Sequence, residues 1–195
     1  MTVIKTMTNQ IEVDRELFTA LNECKSADET RYSMTQPFYD KAKNRISSTD
    51  GRRLFVYNFT EKNDLQEGFY TAVKKDKLLY FFRLEDMDGH YPNIDRVIPD
   101  YRLITENSFT FCSKLSICAP DLFRLFAIAG PVNIDYLKPI HGIAVQCSYT
   151  IESGKAIVLK SLCQNWEYII MPMQHDHDGE ALAEALKIFT AKFVD

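Results

Sequence analysis

The sequence predicts an α+β protein: two strand-helix-three-strand units whose helices pack on antiparallel sheets, followed by a C-terminal helix. Three observations predict it. Two stretches with helical apolar spacing are each preceded by one strand-like run and followed by three. A separate hairpin pattern lies between the two units, so the architecture repeats without obvious sequence identity. The chain, at 195 residues with 46% hydrophobic and 26% charged residues, has the composition of a packed globular protein.

In the first unit a strand at Ile11 leads to a helix over 15–25, where Leu17, Ala20, Leu21 and Cys24 share one face behind Asp14 as N-cap. Strands are expected over 31–39, 44–48 and 53–59. Asp50-Gly51 between the last two is a hairpin signal, because the tight turn needs positive φ. A central hairpin pairs 69–73 with 78–84 across Lys74-Lys75-Asp76-Lys77, a solvated tip. The prolines of Tyr91-Pro92-Asn93-Ile94-Asp95-Arg96-Val97-Ile98-Pro99 make that stretch an extended connection rather than a central strand. The second unit has a strand over 109–118 and a helix over 120–129, opened by Pro120 and Asp121 and stopped by Gly130-Pro131. Strands over 143–149, 156–162 and 166–171 follow. Residues 180–194 then place Leu182, Ala185, Leu186, Phe189 and Phe193 on one stripe of an amphipathic helix. The division is 1–99, 100–174 and 175–195, the first two able to form one compact domain.

Bulk properties exclude several classes. No apolar run approaches the roughly 20 residues that span a bilayer, and Met1 to Gln10 lacks the apolar core of a signal peptide, so the expectation is a cytoplasmic protein away from membranes. The five cysteines are scattered with no CxxC pair, which fits neither a disulfide framework nor a zinc site. A net charge of -4 gives no global attraction to a polyanion, leaving any DNA contact to a local basic group such as Lys74, Lys75 and Lys77. The helices offer no basic stripe: Arg15 and Lys25 stand against Asp14, Glu16 and Glu23, and Arg124 against Asp121. No phosphate-cradling loop, GxGxxG or nucleophile motif is present. His175-Asp176-His177-Asp178 reads as a hydrated connector or helix cap rather than a metal site, so no metal, cofactor or catalytic residue is expected.

Three segments occur in an order that carries more meaning than any one of them. Thr49-Asp50-Gly51-Arg52-Arg53-Leu54, the Tyr91 to Pro99 connection and Tyr168-Ile169-Ile170-Met171-Pro172-Met173 resemble the segments that form the partner-peptide pocket of bacterial sliding clamps, the beta subunits of DNA polymerase III. Residues 27–54 look like the start of that family's middle domain, and Asp88 to Pro99 like its link to the last domain. Tyr168 to Met173 is similar to the family's terminal strand. The resemblance covers nearly all of the chain up to Met173, with departures. No counterpart of the first of the family's three domains is present, Arg52 stands where the family commonly has His, and the sequence runs on beyond the last motif.

The resemblance implies a processivity-clamp fold in reduced form, and the chain's brevity alone suits a mobile-element or phage-like relative of the clamp. It further implies a non-enzymatic, homo-oligomeric protein that tethers a polymerase to double-stranded DNA and binds replication or repair proteins through a clamp-binding peptide. The implied pocket consists of Thr49, Gly51, Arg52, Arg53, Leu54, Pro92, Arg96, Val97, Ile169, Ile170, Met171, Pro172 and Met173. The residue chemistry suits peptide binding, since methionines form an adaptable apolar wall and arginines at the rim pair with peptide carbonyls or carboxylates. Two rival readings are a decoy or regulator that captures such peptides, or pairs with a host clamp, without encircling DNA, and a divergent nucleic-acid-processing enzyme using His175 and His177.

Overall fold

The computed structural model describes residues 3–87, 89–98, 108–112, 133–140, 144–148, 156–161 and 165–171. The expected helices over 120–129 and 180–194 lie outside the described residues, as do His175 and His177. Among the described residues the strands are β1 (Val3–Met7), β2 (Gln10–Val13), β3 (Phe38–Asp40), β4 (Arg45–Thr49), β5 (Arg53–Asn58), β6 (Gly68–Lys75), β7 (Leu78–Arg83), β8 (Ser108–Cys112), β9 (Ala144–Ser148), β10 (Ile157–Ser161) and β11 (Trp166–Ile170), and the α-helix is α1 (Arg15–Glu23). They form one hydrogen-bonded order, β1-β2-β7-β6-β3-β4-β5-β11-β10-β9-β8.

Helix α1 forms where the apolar spacing places it. The Asp14 carboxylate accepts the Leu17 N–H at 2.8 Å, satisfying one of the free donors of the first turn, and Leu17, Phe18, Ala20 and Leu21 are buried. Phe18 meets Phe81 of β7 at 5.4 Å between ring centroids. The central hairpin is not an appendage between two units. Its strand β7 pairs with β2 and its strand β6 with β3, so it is threaded into the first unit.

Two expectations change. The run 31–39 does not form a strand along its length: Asp28 accepts from the Thr30 amide at 3.0 Å and hydroxyl at 2.6 Å and caps a 3-10 turn over Glu29–Met34, leaving only Phe38–Asp40 to pair. The connection after Tyr91 is extended except for a 3-10 turn at Ile94–Arg96, capped by the Asn93 side chain. In addition, β1 lacks an alternating apolar pattern and exists through its pairing with β2.

The sheet is buried on both faces where β5, β10 and β11 meet. Alternation sends Phe55, Tyr57, Ile157, Leu159, Trp166, Tyr168 and Ile170 into a core with α1. It sends Leu54, Val56, Val158 and Ile169 into a second core with Phe69, Tyr91 and Ile94. This explains the continuous apolar run of β5, which a strand with one wet face would not need. The antiparallel pairing of β5 with β11, from Arg53↔Ile170 to Tyr57↔Trp166, joins the early and late parts of the sequence into one sheet.

Candidate functional site

The β4–β5 turn is held by its own side chains. The Asp50 carboxylate accepts from the Arg52 and Arg53 amides at 2.9 and 3.0 Å and from Arg53 Nε at 2.9 Å. The Thr49 hydroxyl donates to the Arg53 carbonyl at 2.7 Å and accepts from the Gly51 amide at 3.1 Å. Gly51 has φ +87°, and a Cβ there would stand 2.9 Å from Arg31 Nη1, which itself donates to the Asp50 carbonyl at 2.8 Å. Just past the end of β11, the Met171 amide donates to the Arg52 carbonyl at 2.9 Å, which fastens Met171 beside the turn.

The two arginines of the turn differ. Arg53 is committed: besides Asp50 it donates to the Glu23 carbonyl at the end of α1, and its guanidinium lies 4.9 Å from the Tyr136 ring centroid. Arg52 is exposed.

The third wall is the 89–98 connection. Tyr91 is buried, stacked on Phe38 at 4.9 Å with an interplanar angle of 10° and edge-on to Phe69 at 6.2 Å. Asp95 pins the connection from outside, pairing with Lys43 Nζ and, at 2.9 Å, with Arg45 Nη1; Arg45 in turn reaches Asp40 at 3.3 Å. The hydrogen bonds from Lys43 and Arg45 hold the Asp95 carboxyl below its ordinary value of 3.8. A lowered folded-state pKa means that this tie supports the folded state above the unfolded pKa and is lost as pH falls through the folded one. We therefore expect the connection to loosen below about pH 4, and Asp95→Asn to remove that pH dependence. Hydrogen exchange at the Val97 amide across an acid titration checks this.

Between these walls lies an open cavity of about 110 Å3, lined by Met34, Thr49, Gly51, Arg52, Arg53, Leu54, Pro92, Asn93, Ile94, Val97, Ile169 and Met171. It is smaller than the roughly 300–1,000 Å3 usual for small-molecule sites, and its size suits one or two inserted apolar side chains. The structure thus brings together Thr49, Gly51, Arg52, Arg53, Leu54, Pro92, Val97, Ile169 and Met171. Arg96 is exposed and is not among the lining residues. Ile170, fully buried, faces the α1 core because it follows Ile169 on the strand and alternation turns it away. Pro172 and Met173 lie outside the described residues. Met34, Asn93 and Ile94 join the lining without having been singled out in sequence. Asn93 and Ile94 lie inside one of the three segments, whereas Met34 is carried in by the 3-10 turn, for which Asp28 was the available signal.

Elsewhere, Lys74, Lys75 and Lys77 are exposed at the β6–β7 tip, with Lys74 Nζ 5.7 Å from the Phe18 ring centroid. Cys24 is fully buried, and that burial pushes its thiol up to about 12. Among the described residues no helix is long and apolar enough to cross a membrane.

No protein-family model matches the sequence. No curated protein matches it significantly either. Solved structures do match. The DNA polymerase III beta subunit of Thermotoga maritima superposes with a TM-score of 0.55 at 15% identity, covering 90% of this chain and 68% of that one. The chain has the sliding-clamp fold. Two further clamps give the same result: that of Borrelia burgdorferi in complex with a natural product, with a TM-score of 0.57 at 14% identity over 90% of this chain and 65% of its own, and that of Helicobacter pylori bound to a DNA ligase peptide, with 0.52 at 9% over 89% and 68%. The chain therefore spans about two thirds of the length of these clamp subunits.

Proposed function

We propose that this chain is a non-enzymatic protein of sliding-clamp type whose pocket captures an apolar peptide segment of a DNA replication or repair protein. One observation carries the reading. Large hydrophobic side chains exposed among the described residues are Met7, Tyr32, Leu78, Val97 and Met171, and two of them, Val97 at 47% and Met171 at 39%, line the same cavity. They come from separate segments of the sequence, and their exposure costs free energy that an inserted side chain recovers. The clamp fold supports the reading, as does the Helicobacter pylori clamp, solved with a DNA ligase peptide bound.

The test is a titration of a fluorescent peptide bearing two leucines and a phenylalanine. Met171→Glu and Val97→Glu are each expected to weaken binding at least about tenfold, the size of a binding hot spot. Leu78→Glu, at an exposed hydrophobic outside the lining, serves as the control and leaves binding unchanged. Unaltered affinity in both pocket variants, with circular dichroism intact, overturns the reading.

Whether the protein encircles DNA is a separate matter, and one observation favours the decoy or regulator reading. The exposed positions of α1 carry Arg15 against Glu16 and Glu23, a poor surface for phosphates. In the ring reading, copies join through the sheet edges at β1 and β8, and Lys74, Lys75 and Lys77 supply weak contacts to double-stranded DNA. Light scattering that finds only monomer at high concentration removes the ring. Retention of nicked circular DNA, lost on linearisation, removes the decoy.

A further inference from the structure

A second cavity, about 550 Å3 in volume, adjoins the peptide pocket and shares Pro92, Asn93 and Ile94 with it. Strand alternation puts both on one face of the sheet: along β4, Arg45 and Ser47 line the second cavity and Thr49 the pocket. The 89–98 connection is therefore a wall common to the two. Unlike the pocket, this cavity falls in the roughly 300–1,000 Å3 range of small-molecule sites, and Phe38, Phe69 and Met87 give it an apolar side. Its charged groups are unevenly committed. Asp40 and Asp95 pair with Arg45, and Asp95 also with Lys43. Glu67 Oε2 accepts from the Lys41 amide at 3.3 Å. Arg83 Nε donates to the Glu67 carbonyl at 3.1 Å, and its guanidinium lies against Gly68, at φ +143°, where a Cβ would stand 3.2 Å from Nε. Among the described residues no carboxylate ion-pairs with Arg83. The Nε of Arg45, a side chain only 9% exposed, is likewise buried without an acceptor. The unmet groups of both arginines are donors, so what the cavity lacks is an acceptor.

We propose that this second cavity binds a small organic anion, a carboxylate or phosphate on an apolar body, anchored by Arg83, and that the bound anion strengthens peptide capture through the shared wall. The binding stands on the cavity alone, whereas the coupling rests on the pocket reading above. A planar guanidinium takes a carboxylate or phosphate bidentately, and the aromatic side of the cavity accepts the apolar body. Filling the cavity restrains Pro92, Asn93 and Ile94 before the peptide arrives, so less ordering cost remains at the pocket. Linkage makes the effect reciprocal, the peptide tightening the anion by the same factor.

The experiment titrates the full chain calorimetrically with phenyl phosphate and phenylacetate, and with benzyl alcohol as the neutral counterpart. At least one anion is expected to bind about ten-fold tighter than the alcohol at low salt, with the gap narrowing as salt rises. The two anions, compared with each other, identify the headgroup. Arg83→Gln erases the gap, and Arg83→Lys retains part of it. In the wild type, saturating anion is expected to tighten the fluorescent peptide about five-fold, and in Arg83→Gln to leave it unchanged. Anions that bind no better than the alcohol, or a gap that survives in Arg83→Gln with circular dichroism intact, overturn the site. An anion held by Arg83 that leaves peptide affinity unaltered overturns the coupling while both sites stand. If the peptide does not bind at all, the pocket reading fails and the coupling with it, and calorimetry on Arg83→Gln still decides the second cavity.

Discussion

Tyr91→Ala is expected to lower the unfolding free energy by about 3–5 kcal/mol and to abolish peptide capture, the larger of two effects that reach the pocket from behind. Tyr91 is only 7% exposed and contributes a stacked face to Phe38 and an edge contact to Phe69. Removing it takes away a large apolar burial and leaves a void between the sheet and the 89–98 connection. That connection carries Pro92, Asn93, Ile94 and Val97 into the lining. Besides the buried Ile94, its ties are the ion pairs of Asp95, which lie at a partly exposed side chain and are individually weak. Denaturant unfolding measures the first effect and peptide titration the second. Tyr91→Phe separates them from any role of the hydroxyl and keeps both stability and binding.

Arg53→Ala is expected to cost about 2–4 kcal/mol, because it removes one partner of a mostly buried pair rather than the whole pair. Side-chain exposures of 14% for Arg53 and 19% for Asp50 leave the carboxylate little water to turn to once the guanidinium is gone. The Glu23 carbonyl at the end of α1 loses its donor, and Tyr136 loses the cation over its ring. The turn keeps its amide contacts to Asp50, so the loss falls mainly on stability and on the docking of α1. The double variant Asp50→Asn with Arg53→Ala is expected to be less damaging than the sum of the two singles, since the two residues form one unit. Additive costs in thermal unfolding argue that Arg53 acts through Tyr136 and Glu23 instead.

Much of the fold is legible along the chain because it is set by local chemistry. Asp14 and the apolar face behind it specify α1, and Asp50-Gly51 specifies the turn, with Gly51 at the positive φ that the dipeptide requires. The strands around β5 and β11 are legible from their apolar β-formers. Less legible is 31–39, where Tyr32, Phe38 and Tyr39 look strand-like. The 3-10 turn over Glu29–Met34 wins there because the Asp28 carboxylate offers its donors a local partner before any strand does. The position of the central hairpin is not legible at all, since pairing of β7 with β2 and of β6 with β3 joins segments tens of residues apart.

The candidate site divides in the same way. By itself the sequence determined which three segments to set side by side and the turn chemistry that holds Thr49, Gly51 and Arg53. Tertiary structure alone decided which face of each segment meets the cavity. The β5–β11 register turns Leu54 and Ile169 toward it and Ile170 away, and the 3-10 turns deliver Met34 and Ile94. The physical reason is that a strand's side chains alternate while its sequence does not announce which face is wet. When both faces of a sheet are buried, every apolar position satisfies the pattern, and only the packed partners on either side separate wall from core.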